Sequence, residues 1–174
     1  DPGNTETGEN RPQHIPVVRE LRNVWITEAQ DGQITIFRDG VRETYYMDTE
    51  AGGTYALPAP EQMREQLADV ELTDDFVTDV TLKTDIFTGK VLSADASGIE
   101  IKGRGRIPLA EDYKGYRLYQ ELAMCTTADL VFGYMYADFV RENGEICGIL
   151  LAREEAMDRI RVLLKTSDFA DTLH

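Results

Sequence analysis

The sequence predicts a mainly β protein made of two or three small SH3-like barrels or meanders, with one short helix. Short runs that alternate apolar and polar residues recur along the chain, and Phe76–Leu82 is the clearest of them. Pairs of turn-forming residues with glycine separate these runs, as expected for short antiparallel strands. Apolar residues make up 42% of the 174 positions, which is enough to fill the cores of such units.

A three-stranded meander is predicted near the N-terminus. Asp31-Gly32 and Asp39-Gly40 are strong signals for tight hairpin turns. The strands expected around and before these turns are Pro16–Leu21, Val24–Thr27, Gln33–Arg38 and Val41–Met47.

The one predicted helix is Glu61–Val70. Met63, Leu67 and Val70 have the i, i+4, i+7 spacing of a helical stripe, and the preceding prolines mark its start. So short a helix is stable only when its stripe packs on the sheet, so it is expected to cap a sheet edge.

Further strands are predicted from Phe76 to Leu109, with a turn at Ser97-Gly98. A later hairpin joins Asp138–Glu142 to Glu145–Ala152 through Asn143-Gly144, the signature of a type I′ turn. Arg159–Lys165 alternates again and is expected to pair with this hairpin or to close a sheet.

Three segments resemble one another. DGQITIF, SGIEIKG and NGEICGI each place a turn glycine (Gly32, Gly98, Gly144) before a strand that contains isoleucine. Two interpretations remain open: duplicated small barrels, or hairpins that share turn chemistry because tight turns require glycine. Val24–Ile36 and Val91–Ile101 match best.

The predicted division of the chain has four parts. They are a flexible linker at 1–14, a β domain at 15–118 with the helix inserted at 61–70, a third β-hairpin module at 119–157, and the start of a further domain at 158–174. The polar, turn-rich N-terminal residues favour a linker left after removal of a signal peptide or lipoprotein anchor, and an arbitrary chain boundary stays open as the alternative.

The net charge of −14, from 32 acidic and 18 basic residues, disfavours some partners. Such a surface repels phosphate backbones and anionic lipids, so neither nucleic acid nor a membrane surface is an expected partner. No apolar run reaches the roughly 20 residues that a membrane-spanning helix needs.

Cysteine and histidine offer little chemistry. Cys125 and Cys147 do not form a CxxC pair; Cys147 lies in an apolar run typical of a buried free thiol, and a disulfide stays open as an alternative. The two histidines, His14 and His174, lie near the chain ends, which excludes a histidine-based metal site or triad within this chain.

Acidic residues cluster between positions 61 and 85, and no metal is predicted to bind them. Their spacing lacks the DxDxDG arrangement of a calcium loop, so we interpret them as a solvated face. They are Glu61, Glu65, Asp69, Glu71, Asp74, Asp75, Asp79 and Asp85.

Two other motifs are rejected as sites. Glu154 and Glu155 are adjacent in sequence and are expected to point apart, whereas a glycosidase needs two carboxyl groups facing each other at about 5–10 Å. KGRGRI at Lys102–Ile107 lacks the GxxxxGK[ST] pattern of a phosphate loop, so its basic charge is expected on a turn. No catalytic residue and no cofactor is predicted.

Tyrosines on or beside strands raise the question of a sugar-stacking platform. The expected role of these rings is packing against cross-strand neighbours, and a contiguous exposed aromatic patch would instead indicate a binding module. They are Tyr45, Tyr46, Tyr113, Tyr116, Tyr119, Tyr134 and Tyr136.

The last seventeen residues, DRIRVLLKTSDFADTLH at Asp158–His174, resemble the opening of a stage II sporulation protein D (SpoIID/LytB-like) domain. Members of that family commonly begin with an IRVLL-type strand and a polar turn. The region from Asp31 to Ala152 is similar to the β-rich leader that precedes the domain in some Gram-positive bacteria.

This resemblance implies a function without chemistry of its own. Family members act at the bacterial cell wall, as peptidoglycan lytic transglycosylases or as enhancers of amidases. Their catalytic glutamate lies in an A-A-E-M-P-like segment that this chain lacks, and Glu155-Ala156 in REEAM does not reproduce it. The resemblance therefore implies a non-catalytic extracytoplasmic accessory domain that positions a downstream peptidoglycan-remodelling module, with peptidoglycan as a further partner; a glycan- or peptide-binding module of the cell envelope is the alternative.

Overall fold

A computed structural model describes residues 14–48, 57–133 and 135–151. This part of the chain contains eleven strands, one four-residue α-helix and one turn of 3-10 helix. The predicted fold class, mainly β with small barrels and one short helix, is confirmed.

The strands are β1 (Val18–Gln30), β2 (Gln33–Arg38), β3 (Val41–Met47), β4 (Gln66–Thr73), β5 (Phe76–Leu82), β6 (Ile86–Ala94), β7 (Gly98–Ile101), β8 (Gly105–Arg117), β9 (Ala123–Cys125), β10 (Tyr136–Glu142) and β11 (Glu145–Leu151). The helix α1 is Pro60–Met63, and the 3-10 turn is Thr127–Asp129.

The first five strands form a closed barrel in the order β1-β2-β3-β5-β4. All neighbours are antiparallel except β3 and β5, which run parallel and pair through Tyr46–Phe76 and Met47–Val77. Its core is aliphatic, and Met63 of α1 is buried in it, with Ile26, Ile34 and Val70 among its members.

The remaining strands form a second ring. The sheet order is β11-β10-β6-β7-β8-β9, and β11 also pairs in parallel with β8, so that β6, β7, β8, β11 and β10 close on themselves. Phe87, Ile99, Phe139 and Ile149 lie in its core. The short strand β9 pairs with β8 beside the ring.

Both barrels have the same connectivity. When the five strands of each barrel are numbered along the chain, their order around the barrel is 1-2-3-5-4, and the third and fifth strands are parallel. This Greek-key order is that of OB-type barrels, which specifies the barrel more closely than the predicted SH3-like description. The matching segments Val24–Ile36 and Val91–Ile101 fall on equivalent hairpins. Asn143-Gly144 instead joins β10 to β11, the counterpart of β4–β5, so its similarity to the other two reflects shared turn chemistry.

The helix predicted at Glu61–Val70 is wrong beyond Met63. Glu65 adopts a positive φ of 55°, and β4 begins at Gln66. Ala68 and Val70 point into the first barrel, whereas Leu67 packs in the cluster between the barrels. Because both faces of β4 are covered, its apolar residues do not alternate with polar ones and they imitate a helical stripe.

The predicted hairpin module at 119–157 is not separate from what precedes it. The β10–β11 hairpin belongs to the second barrel, which starts at Ile86, and the predicted boundary after residue 118 falls between the paired strands β8 and β9. The strand pairing therefore divides the described residues after Leu82. Of the predicted linker only His14 is described, and it is exposed; Arg159–Lys165 and the segment 158–174 lie outside the described residues.

The strands β2, β3 and β5 have the predicted bounds. The two strands predicted at Pro16–Leu21 and Val24–Thr27 are one strand, β1, which continues through an irregularity at Asn23, where φ is 53°. The alternation predicted for Phe76–Leu82 is interrupted within β5. Val77 is buried and Phe76 is exposed, because a register shift between Glu71 and Leu72 changes the alternation.

Candidate functional site

An apolar cluster joins the two barrels. Trp25, Phe37 and Leu67 contribute from the first barrel, and four side chains contribute from the second: Tyr116, Val140, Cys147 and Leu150. The faces meet closely, since a Cβ added at Gly148 would lie 2.5 Å from a methyl group of Leu67. Burying apolar side chains of this size on both faces is favourable by roughly 1.5–3 kcal/mol for each large one.

Tyr116 is the central ring of this cluster. It is fully buried, and its hydroxyl donates a 2.5 Å hydrogen bond to the backbone carbonyl of Asn23 in β1. Its ring packs against Trp25 and Phe37, with centroids 6.3 and 6.2 Å away. Burial raises the pKa of the phenol, so the hydroxyl remains a donor to the first barrel.

Beside the cluster, Arg22 of β1 binds three carboxylates. Its guanidinium donates to Asp69 in its own barrel at 2.9 Å. It also donates to Asp112 at 2.9 Å and Glu142 at 3.0 Å, which lie on β8 and β10 of the second barrel. One side chain thus links four strands of both barrels through charge-assisted hydrogen bonds, which are stronger than neutral ones.

Lys83 completes this arrangement, which we call the charged clamp (Arg22, Asp69, Lys83, Asp112 and Glu142). It lies in the three-residue connection between β5 and β6, and its side chain is only 3% exposed. Its ammonium contacts Asp69 at 2.8 Å and also pairs with Glu142. Its backbone N–H donates to the carbonyl of Leu67 at 2.9 Å. The connection is therefore fixed to both barrels.

The clamp favours the ionised forms of Lys83, Asp112 and Glu142. Burial alone lowers the pKa of Lys83, but hydrogen bonds to Asp69 and Glu142 outweigh burial and raise it. The hydrogen bond from Arg22 lowers the pKa of Asp112, and the one from Lys83 lowers the pKa of Glu142. A general acid or base works best with a pKa near the operating pH. These shifts move the pKa values of the two carboxyl groups and of Lys83 further from pH 7. The arrangement is therefore better suited to holding the barrels together through ion pairs than to proton transfer.

A cleft of about 380 Å³ opens between the barrels next to the cluster. Trp25, Thr27, Arg42 and Glu65 line it from the first barrel, and Leu118 and Leu122 line it from the second. Sites of small-molecule binding occur preferentially at such junctions. Trp25 is mostly buried, however, and the side chains of Arg42 and Glu65 are exposed. The cleft therefore presents few groups that could bind a ligand within it.

A second surface lies on the outside of the first barrel. Five side chains follow one another across neighbouring strands, and each pair shares a face because the residues are direct cross-strand partners. We call this set the outer row: Val18, Thr73, Phe76, Tyr46 and Gln33. Tyr46 is 55% exposed and Phe76 is 42% exposed, so both aromatic side chains of the row reach solvent.

The acidic stretch at 61–85 is not uniformly a solvated face. Asp69 is buried within the charged clamp, which corrects the prediction for that residue. Asp79 and Asp85 are exposed, as predicted. Within the described ranges, no group of three or more histidine, cysteine or acidic side chains is arranged to hold a metal ion.

Both cysteines are buried free thiols, as predicted for Cys147. Burial raises the pKa of Cys125 to about 12 and that of Cys147 to about 11, which disfavours the reactive thiolate. Lys102 and Arg104 lie on the turn between β7 and β8, as expected, where the Arg104 guanidinium covers the ring of Phe87 at 3.9 Å. Glu154 and Glu155 lie outside the described residues.

Tyrosine packing follows the prediction with one exception. Tyr116 is buried, and four others are half-buried: Tyr45, Tyr113, Tyr119 and Tyr136. Tyr134 is outside the described residues, and Tyr46 is the exposed one among those described. Neither the clamp nor the outer row was predicted from the sequence, because each depends on which strands pair. For the outer row, the available signal was the glycine-free turn at Asp74-Asp75, after which β5 begins at Phe76 and pairs with Tyr46 of β3.

Comparison of the sequence with known protein families and with curated proteins found no match. The class of molecule is therefore defined by its architecture, as two OB-type Greek-key barrels joined by a charged clamp. In the part of the chain that the structure describes, no helix is long and apolar enough to cross a membrane.

Proposed function

We propose that this chain is a non-catalytic, extracytoplasmic accessory unit that positions a peptidoglycan-remodelling domain of the SpoIID/LytB type in the bacterial cell envelope. The resemblance of Asp158–His174 to the opening of such a domain supplies the identity of the partner. A positioning role requires a rigid unit, in which the two barrels keep a fixed distance and orientation.

The charged clamp is the observation that carries this proposal. Lys83 is buried in a connection of three residues and contacts carboxylates on both barrels. Arg22 also donates hydrogen bonds to carboxylates of both barrels across the same junction. Interfaces between domains of one chain often permit relative motion, and a large apolar contact restrains it. Here Tyr116 and its neighbours supply that contact beside the clamp.

The chemistry of the clamp also supports a role without catalysis. Its three carboxylates surround two cations and accept hydrogen bonds from them. A glycoside-cleaving enzyme needs one carboxyl group that is protonated near neutrality. The lowered pKa values of Asp112 and Glu142 oppose that state.

Incubation of this chain with purified cell-wall sacculi tests the absence of catalysis. We expect no soluble muropeptides by mass spectrometry, while a muramidase run in parallel releases them. Release by the chain that persists after further purification, and that disappears in a Glu142→Gln variant that still folds, would contradict the proposal.

A further inference from the structure

We propose that the outer row of the first barrel is a binding surface for a neutral β-linked glycan strand, with Tyr46 and Phe76 as its stacking platform. This inference goes beyond the positioning role, which requires no ligand. Its failure would leave that role intact.

The geometry of the row suits a flat, extended ligand. Tyr46 and Phe76 are direct partners on the parallel strands β3 and β5, so both side chains leave the same face from backbones that are one strand spacing, about 4.8 Å, apart. Thr73 and Val18 continue the row on one side, and Gln33 continues it on the other. A sugar ring presents a C–H face that packs on aromatic rings, whose amphipathic surface favours such contacts.

Polar groups border the two rings. Gln33 offers both a donor and an acceptor beside Tyr46. Thr73 lies on the strand at the other side of Phe76, and its hydroxyl is 3.1 Å from the hydroxyl of Thr78. Beside Phe76, Asp75 of the β4–β5 turn pairs with Arg19 at 3.0 Å. Such side chains bind sugar hydroxyls, so the row combines stacking with hydrogen bonding along one line.

Charge selects among the ligands of this barrel type. OB-type barrels bind oligonucleotides or oligosaccharides on the face of their second and third strands and the adjoining turns. Gln33 and Tyr46 lie on that face, and Asp75 lies in the turn between the fourth and fifth strands. The net charge of −14 disfavours an oligonucleotide or any other polyanion, which leaves an uncharged glycan.

Two other occupants fit less well. A peptide that adds as a strand requires a free sheet edge, and at the level of the row β3 pairs with both β2 and β5, so no edge is open there. A second copy of this chain would also carry a net charge of −14, and the repulsion between two such chains opposes close approach.

Titration of the ¹⁵N-labelled chain with chitohexaose, cellohexaose and polygalacturonate tests the proposal. We expect at least one of the two neutral oligosaccharides to shift the amide signals of β3 and β5 around Tyr46 and Phe76, and the anionic polymer to leave them unchanged. Phe76→Ala and, independently, Tyr46→Ala should weaken that binding about tenfold, as the loss of one aromatic contact predicts.

Phe132→Ala is the matched control, because Phe132 is similarly exposed but lies away from the outer row in sequence, in the connection between the 3-10 turn and β10. It should leave the affinity unchanged. Binding of neither neutral glycan, equal binding of polygalacturonate, or equal weakening by Phe132→Ala would overturn the proposal. Self-association that Phe76→Ala abolishes, seen by sedimentation without any sugar, would also overturn it in favour of contact between copies.

Discussion

Single residues with left-handed backbone conformations set the hairpins of this molecule. Asn143 and Gly144 have φ values of 54° and 77°, as a type I′ turn requires, and this confirms the turn predicted from the sequence. The β4–β5 turn has the same handedness with Asp74 and Asp75 in place of glycine. Tight turns are therefore readable from the sequence where glycine marks them, and less so where acidic residues adopt the strained conformation.

Gly144→Val tests the energetic role of this conformation. A Cβ at position 144 would meet no atom within 4 Å, so any loss of stability arises from the backbone alone. We expect a loss of roughly 1–2 kcal/mol in the free energy of unfolding, because a β-branched residue is poorly tolerated at positive φ. Gly144→Asn should cost less, since asparagine tolerates this region. Equal urea midpoints for Gly144→Val and the parent chain would contradict the assigned role.

At the scale of strands and barrels, features set by local sequence patterns could be predicted, whereas features set by tertiary packing could not. The bounds of β2 and β3 follow from DG turns and alternation, which are local signals. The misassigned helix at 61–70 arose because β4 is covered on both sides, a property that only the packed second barrel confers. The clamp was equally hidden, since Arg22 and Glu142 are 120 residues apart in the chain.

Two glycines measure how tightly the strands approach one another. A Cβ at Gly115 would lie 2.4 Å from the backbone oxygen of Cys125, whereas at Gly148 it would meet a flexible methyl of Leu67 at 2.5 Å. We therefore expect Gly115→Ala to destabilise by about 3 kcal/mol and Gly148→Ala by about 1–2 kcal/mol, because backbone cannot yield as a side chain can. Chemical denaturation of both variants checks this order, and the reverse order would show that the strands are spaced differently.

For the whole molecule, the clamp predicts how stability depends on pH. Asp112 and Glu142 have lowered pKa values in the folded state, so their contribution is present above their unfolded pKa values of about 4 and is lost as pH falls through the folded values. Lys83 has a raised pKa, so its contribution is present below about 10.4 and is lost as pH rises through the folded value.

The unfolding free energy attributable to the clamp should therefore be constant between about pH 5 and 10 and should decline on either side. Urea titrations of the parent chain and Glu142→Gln measure the acidic branch. The variant should be less stable at neutral pH and should lose less further stability on acidification. Parallel curves for the two proteins would mean that Glu142 is not paired in solution.

The central claim is that the two barrels form one rigid unit, and the distance between them tests it most directly. Spin labels at the exposed positions Asp79 and Lys102, introduced as cysteines, report that distance by double electron–electron resonance, while Cys125 and Cys147 are buried from the label. The account predicts one narrow distribution for the parent chain.

Two variants test whether the clamp keeps the distribution narrow. Lys83→Met leaves Asp69 without its buried cation, which weakens the junction, and Arg22→Met provides a second variant should the first fail to fold. At least one of these variants, shown by circular dichroism to retain its strands, should give a broadened distribution. A broad distribution in the parent chain, or an unchanged narrow one in both folded variants, would contradict the claim.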